Sequence, residues 1–226
     1  MNKSIIYTFI KWSVRFVLFF FSLIFIILLL TKWINPPITT VILSESISLD
    51  QKVNQEWRTI DKIGKNVILT VLASEDSNFC THNGFDFNEI FRAKEKGFSR
   101  GASTISQQVS KNLILWRERS WFRKGLEALI TIMIETLWSK KRILEIYLNI
   151  AETGNGYFGI QAISNSLFKK NSYDLTLKEA SYIAVTLPNP KKRNAKKLSI
   201  NLKKRAESVR NGANTLRLDG RASCVL

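Results

Sequence analysis

The stretch Ala73-Ser74-Glu75-Asp76-Ser77-Asn78-Phe79-Cys80-Thr81-His82-Asn83-Gly84 places two adjacent carboxylates directly after the apolar run 67–72. A run of this kind predicts a buried helix, so Glu75 should lie where that helix meets a cleft. A carboxylate in such a place loses water, which raises its pKa towards neutrality and suits a general base or acid. The alternative is that Glu75 and Asp76 end the helix at the surface.

Three residues at short offsets beyond the carboxylates, Phe79, His82 and Gly84, favour a locked loop over a solvated turn. His82 is the only histidine in the sequence. Most zinc sites, and any Ser-His-Asp triad that does not use His82, are therefore excluded.

The composition indicates an anionic partner. The 226 residues include 34 Lys and Arg against 18 Asp and Glu, a net charge of +16, and 45% of them are hydrophobic. This length suffices for a membrane anchor and one domain. The excess of positive charge is typical of proteins that bind nucleic acid, anionic lipid or a phosphorylated substrate.

The N-terminal region predicts a transmembrane helix. Residues 16–30 carry no charge, and the wider segment 12–34 contains 23 residues. At about 1.5 Å per residue this segment is long enough to span a bilayer. Because Lys3, Lys11 and Arg15 precede the apolar run, the positive-inside rule places the N-terminus in the cytoplasm and the remainder on the exported side.

A cleaved signal peptide is the alternative, but residues 31–37 offer a poor cleavage site. The predicted organisation is a cytoplasmic stub (1–11), a transmembrane helix (12–34), a membrane-proximal linker (35–64) and a domain (65–226). Periodicity predicts that the domain is mainly α-helical, without a strong strand pattern, and that its helices cover 65–80, 87–97, a long stretch after 120, 143–149, 159–168 and 176–187.

A second polar stretch, 101–112, combines a helix-start pattern with amides and one lysine. A helix N-terminus attracts anions, and Gln107 and Gln108 offer donors and acceptors suited to sugar hydroxyls. Lys111 lies four residues after Gln107, on the same helix face. An ordinary polar helix is the alternative.

A second carboxylate, Glu127, lies on a helix with a strong apolar stripe, one turn after Arg123. By itself this spacing fits a structural Arg–Glu pair equally well. Further on, the segment 191–210 has nine basic residues and one acid, Glu207. It forms either a solvated helix face or a contact with anionic headgroups, since nucleic acid is not expected on the exported side of a membrane.

Four motifs occur in order between residues 67 and 190. The pattern E-D-x-x-F-x-x-H-x-G is formed by Glu75, Asp76, Phe79, His82 and Gly84. The pattern G-x-S-T-x-x-Q-Q-x-x-K-N is formed by Gly101, Ser103, Thr104, Gln107, Gln108, Lys111 and Asn112. The third, R-K-x-x-E, is formed by Arg123, Lys124 and Glu127, with Arg119 shortly before it. The fourth, K-x-x-I-L-E-x-Y-L-N, is formed by Lys140, Ile143, Leu144, Glu145, Tyr147, Leu148 and Asn149.

In these motifs the chain resembles the monofunctional biosynthetic peptidoglycan glycosyltransferases, which are related to the glycosyltransferase domain of class A penicillin-binding proteins. The sequence departs from the family at 167–170, where an aromatic-Phe-Gly-Lys run is common and this chain has Leu-Phe-Lys-Lys. The resemblance implies a mainly α-helical, lysozyme-like glycosyltransferase domain at the bacterial inner membrane. It also implies that lipid II is polymerised into glycan strands with inversion and that undecaprenyl diphosphate is released.

The resemblance further implies roles for individual residues. Glu75 would be the general base, and Glu127 a second catalytic carboxylate that orients cations or contacts the sugar. Substrate binding would fall to Ser103, Thr104, Gln107, Gln108, Lys111, Asn112, Arg119, Arg123 and Lys124. A divalent cation such as Mg²⁺ is expected to assist, but no ligand pattern places it. The expected partners are lipid II, the growing glycan, anionic membrane lipids and other cell-wall synthesis proteins.

Two other functions remain open at this point, a membrane-anchored muramidase and a non-catalytic membrane scaffold. A muramidase would also use two carboxylates but would not need so many cations beside them. Transpeptidase activity is excluded, because 166–169 matches S-x-x-K without any K-T-G motif.

The two cysteines, Cys80 and Cys224, are far apart in sequence. In an oxidising compartment they either form a disulfide that ties the tail to the loop after Glu75, or remain unrelated. A bond requires Cα atoms within about 7 Å of each other.

Overall fold

The computed structural model describes residues 3–50, 52–95, 97 and 101–226. The first two residues of the predicted cytoplasmic stub, and residue 96 of the predicted helix 87–97, lie outside this set. The chain divides into two units, Met1–Pro36 and Pro37–Leu226.

The first unit contains helix α1 (Lys3–Thr31). Within it, Ile6–Thr31 is long and apolar enough to cross a membrane, with a mean hydropathy of 2.7. The helix ends a few residues before the predicted limit of 34, because a residue that precedes proline avoids the α conformation and Pro36 and Pro37 follow closely. One apolar N-terminal helix is thus confirmed as a candidate membrane span.

The second unit is mainly helical, as predicted. Its helices are α2 (Thr40–Leu49), α3 (Lys65–Glu75), α4 (Phe87–Glu95), α5 (Ile105–Ile114), α6 (Trp121–Leu137), α7 (Lys140–Ile150), α8 (Ile160–Phe168), α9 (Leu177–Ala184) and α10 (Ile200–Leu218). Two short 3₁₀ turns cover Ile60–Lys62 and Ser172–Asp174. Helix α3 is five residues shorter than predicted, since the backbone of Asp76 leaves the helical region.

A small sheet was not predicted. Its strands are β1 (Asn54–Gln55), β2 (Glu152–Gly154) and β3 (Tyr157–Phe158), in the order β1-β3-β2. Strand β1 runs parallel to β3, and β2 antiparallel. The segment 35–64, expected to be a linker, therefore contributes α2 and β1 to the second unit.

Helix α3 lies at the centre of the core. Its residues Val67–Leu72 are all buried, which explains why the run lacks an amphipathic period. Helices α9 and α10 pack against α3, while α5 packs against α6 and α7. The C-terminal end of α3 meets α5, which carries the second motif, through hydrogen bonds from Gln108 to Glu75 and from Ile105 to Asp76.

Helix α10 begins within the basic segment 191–210, where a solvated helix face was one of the two alternatives, and continues to Leu218. Its basic residues hid a stripe of small and apolar side chains, Ala206, Val209, Ala213 and Leu216, all of them buried. Gly212 of α10 lies so close to α3 that an added Cβ would sit 3.3 Å from the Ala73 Cβ. Close packing of this kind holds α10 against the helix that ends at Glu75.

Cys80 and Cys224 form a disulfide, with their Cα atoms 5.8 Å apart. The tail is also held by the buried side chains of Ala222 and Val225. Of the two alternatives that the sequence left open, the structure contains the one in which the C-terminus is bonded to the loop after α3.

Candidate active site

Glu75 is the last residue of α3 and is half-buried. One carboxylate oxygen accepts a hydrogen bond from Gln108 Nε2 at 3.1 Å, and the other from Ser74 Oγ at 3.2 Å. The Tyr147 hydroxyl donates to Gln108 Oε1 at 3.4 Å. Burial, and then the charges of Glu75 and Asp76, raise the pKa of Tyr147 well above its ordinary value. Tyr147 therefore stays protonated and fixes the Gln108 amide with its NH₂ group towards Glu75.

Asp76, the residue next to Glu75, holds the loop after α3 in place. Its side chain is buried, and its two oxygens accept from His82 Nε2 and from the Ile105 N–H, each at 2.9 Å. His82 Nδ1 accepts from the Gly84 N–H at 3.2 Å, so the proton of a neutral ring lies on Nε2, towards Asp76. The two neighbouring carboxylates thus have different environments, since Glu75 is half-buried whereas Asp76 is buried with both oxygens bound to His82 and Ile105.

The loop between α3 and α4 is locked at further points, as the sequence indicated. Gly84 has φ +93°, and a Cβ there would lie 2.8 Å from Thr131 Cγ2, so only glycine fits. Thr104 Oγ1 donates to the Gly84 carbonyl at 2.6 Å, and Lys140 Nζ to the His82 carbonyl at 2.6 Å. The first, second and fourth motifs therefore meet around this loop.

The N-terminus of α5 is closed by the protein itself. Thr104 and Gln107 are buried and form a capping box, in which Thr104 Oγ1 accepts from the Gln107 N–H and Gln107 Oε1 from the Thr104 N–H. Asp76 already occupies the Ile105 N–H as the anion expected at a helix start. The structure thus gives Thr104 and Gln107 structural contacts, and a direct substrate contact for either stays a prediction.

A cluster of cations lies beside α5. Arg123 Nη1 pairs with Glu127 at 2.9 Å, Lys124 Nζ pairs with the other oxygen of Glu127, and Lys124 also reaches Ser103 Oγ at 3.4 Å. Glu127 is buried between its partners. The Arg–Glu pair that the spacing suggested is present, and Glu127 orients two of the expected cations.

Lys111 faces this cluster without an acid of its own within ion-pair distance in the described part of the chain. Burial lowers the pKa of Lys111; Glu127 raises it, while Arg123, Arg117 and Lys124 lower it further. Lys111 thus lies near three further cations, of which Arg123 and Lys124 share Glu127. Such an arrangement favours an anion, because a bound negative charge would relieve the repulsion.

Two clefts flank the Glu75–Gln108 pair. One is lined by Glu75 and Asp76 with Asp86, Glu89 and residues 101–104. The other is lined by Gln108 with Lys111, Asn112, Arg117, Glu152 and residues 187–190. The pair therefore separates an acidic cleft from a basic one.

Arg119 is not part of the cluster around Glu127. It is exposed in the segment before α6 and forms no ion pair with any described residue. It remains available to a ligand that arrives from solvent.

The described residues do not form a protein cage for Mg²⁺. No group of three or more His, Cys, Asp or Glu side chains among them is arranged to hold a metal ion. In the acidic cleft, Asp86 already accepts from Asn78 Nδ2 and the Glu89 N–H, as Asp76 does from His82 and Ile105.

Comparison with known proteins agrees with the motifs. A family model described as Transglycosylase matches residues 42–214. A biosynthetic peptidoglycan transglycosylase of Mannheimia succiniciproducens is 41% identical over 97% of this chain and 94% of its own. Proteins with the same name from Jannaschia sp. and Haemophilus influenzae (strain PittEE) are each 43% identical, over 84% and 80% of this chain and 79% of their own. The family predicted from the motifs is confirmed: this chain belongs to the transglycosylases.

Proposed function

We propose that this protein is a peptidoglycan glycosyltransferase of cell wall synthesis that polymerises lipid II with inversion and releases undecaprenyl diphosphate. The observation that carries the proposal is the Glu75–Gln108 pair, a half-buried carboxylate joined directly to a cation-rich cleft. The names of the relatives support the same reaction class.

Glu75 accepts the proton of the acceptor sugar's 4-hydroxyl as that oxygen attacks the anomeric carbon of the growing chain. The bond to the lipid diphosphate breaks on the opposite face of the sugar, so one displacement inverts the anomeric centre. Ser74 and Gln108 hold the carboxylate in place for this step.

The departing diphosphate gains negative charge, which cations in a partly buried cleft stabilise more strongly than water does. Lys111, Arg123 and Lys124 supply fixed charge, Glu127 keeps the last two in position, and Arg119 approaches from solvent. Mg²⁺, which binds readily through substrate phosphates with few protein ligands, would add positive charge to the diphosphate.

Incubation of the purified full-length protein with lipid II in detergent, followed by sizing of the product, tests the proposed function. We expect long glycan strands and free undecaprenyl diphosphate. A second incubation with preformed glycan distinguishes this activity from that of a muramidase, which would cleave the glycan. Shortening of the preformed glycan, or failure to consume lipid II, would contradict the proposal.

The proposed location is the inner membrane, with the N-terminus in the cytoplasm and the second unit on the exported side. The apolar helix with basic residues at its N-terminal flank supports this orientation. Anionic lipids and other cell-wall synthesis proteins are the proposed partners beyond lipid II.

The orientation gives a prediction of its own. A reporter enzyme that is active only outside the cytoplasm, fused after Leu226, should be active, because the candidate span in α1 would carry the C-terminus across. A matched fusion to a reporter that works only in the cytoplasm should stay silent. The reverse pattern would refute the topology and, with it, access to exported lipid II.

A further inference from the structure

Four charged residues from separate segments, two of which line the basic cleft, form one cluster. They are Glu45 of α2, Arg117 before α6, Glu152 of β2 and Lys191 after α9. Arg117 Nη2 lies 3.1 Å from a carboxylate oxygen of each glutamate. Lys191 Nζ lies 2.6 Å from Glu45 and 3.8 Å from Glu152. None of the four belongs to the motifs that identify the family.

The two carboxylates are more buried than the two cations. The Glu45 side chain is 2% exposed and that of Glu152 13%, against 31% for Arg117 and 41% for Lys191. Burial, which Arg117 and Lys191 only partly offset, raises the pKa of Glu152, and Glu45 raises it further. The glutamates therefore form an inner layer that holds the cations facing outwards.

The guanidinium of Arg117 is only partly used by this contact. Both glutamates bind through one nitrogen, Nη2, and the Nε atom is buried with no hydrogen-bond partner in the described part of the chain. A buried donor without a partner costs free energy unless a ligand or water satisfies it. Arg117 lines the same cleft as Lys111 and lowers the pKa of that lysine, so the two charges are close.

We propose that Arg117 is a further binding residue for the diphosphate of the substrate, and that Glu45 and Glu152 are positioning residues that hold its guanidinium at the cleft. The inference rests on the proposed function. A planar guanidinium that lines the cleft and pairs with both glutamates through Nη2 alone suits phosphate oxygens, and fixing it in advance lowers the entropic cost of binding. Since the two glutamates balance the charges of Arg117 and Lys191, Arg117 contributes directed hydrogen bonds rather than long-range attraction.

The test measures Kd by calorimetry on the full-length protein in detergent, with inorganic diphosphate and with undecaprenyl diphosphate as separate probes. Arg117→Gln should weaken both by about 10-fold or more, since charge-assisted hydrogen bonds are lost. It should raise KM for lipid II more than it lowers kcat. Glu152→Gln, which keeps the shape but loosens the guanidinium, should raise KM to a smaller extent.

Arg142→Gln is the matched control, because Arg142 also pairs with a glutamate, Glu145, and is even less exposed than Arg117, but does not line the cleft. It should leave both Kd values unchanged even if it lowers Tm. If Arg117→Gln fails to fold, Arg117→Lys decides. A structural role then predicts wild-type affinity of this variant for both probes. The proposal predicts a loss of affinity, because lysine lacks the planar guanidinium and its paired N–H donors.

Wild-type affinity for both probes in folded Arg117→Gln would overturn the inference. So would a loss confined to undecaprenyl diphosphate, since Arg117 would then act on the lipid rather than the phosphates. If Lys111→Ala weakens binding while Arg117→Gln does not, this inference fails and the proposed function stands. If neither variant weakens binding, the proposed cationic leaving-group site fails as well.

Discussion

Glu75→Gln should abolish glycan polymerisation while the domain stays folded and still binds lipid II. Loss of a general base costs about 10²–10⁴ in rate. The fold survives because the glutamine oxygen can still accept from Gln108 Nε2, and the Ser74 hydroxyl can accept from the new NH₂ group. The measurement is turnover of lipid II together with Tm and lipid II affinity. Retention of more than a few per cent of wild-type turnover would refute the assignment.

Asp76→Asn is the matched control, since it makes the same chemical change at the adjacent residue. Both Asp76 oxygens accept from N–H donors, so an amide would set its NH₂ group against His82 Nε2 or the Ile105 N–H. A buried mismatch of this kind costs about 1–3 kcal/mol. We therefore expect a lowered Tm for Asp76→Asn and an unchanged one for Glu75→Gln. Equal losses of Tm would mean that both carboxylates are structural.

Lys111→Ala should lower kcat by about 10²–10³, comparable to the removal of one donor that stabilises developing negative charge. Lys111→Arg should not restore the rate fully, since a larger, planar group must fit among Arg117, Arg123 and Lys124. Single-turnover kinetics with lipid II separate this effect from binding. A wild-type rate in Lys111→Ala would show that the leaving-group role is wrong.

Lys141→Ala provides the control for removal of a lysine. Lys141 forms an exposed pair with Asp61 away from both clefts, so its loss should change neither turnover nor Tm measurably.

Arg119→Ala should lower turnover without changing Tm, because Arg119 forms no ion pair in the described chain. A loss of Tm in that variant would indicate a structural role instead.

The parts of the fold that could be predicted are those in which local pattern and tertiary packing agree. The apolar run of α3 and the stripe of α6 identified both helices, and only their ends moved. Helix α2 was missed because Ser44, Ser46 and Ser48 lower its helical preference. It is stabilised instead by the Thr39 cap and by packing of Val41 and Ile42 on Phe158, a contact between distant segments.

The candidate site, like the fold, could be predicted from the sequence only in part. The residue types and their order identified the cluster around Lys111 and Glu127, but not which polar groups face inwards. Thr104 and Gln107 have the spacing of a capping box, a pattern that could have marked them as structural from sequence. Arg117 and Glu152 could not have been paired, because they meet only through packing of β2 beside the segment before α6.

The Cys80–Cys224 bond makes most of the catalytic domain covalently circular. The ring spans 144 positions and contains Gln108, Lys111 and Glu127, while Glu75 lies just outside it, five residues before Cys80. A protease that cuts once within the ring leaves every fragment attached to the membrane-anchored end of the chain. A nicked molecule therefore keeps Glu75 covalently joined to Lys111 and Glu127 for as long as the disulfide is intact.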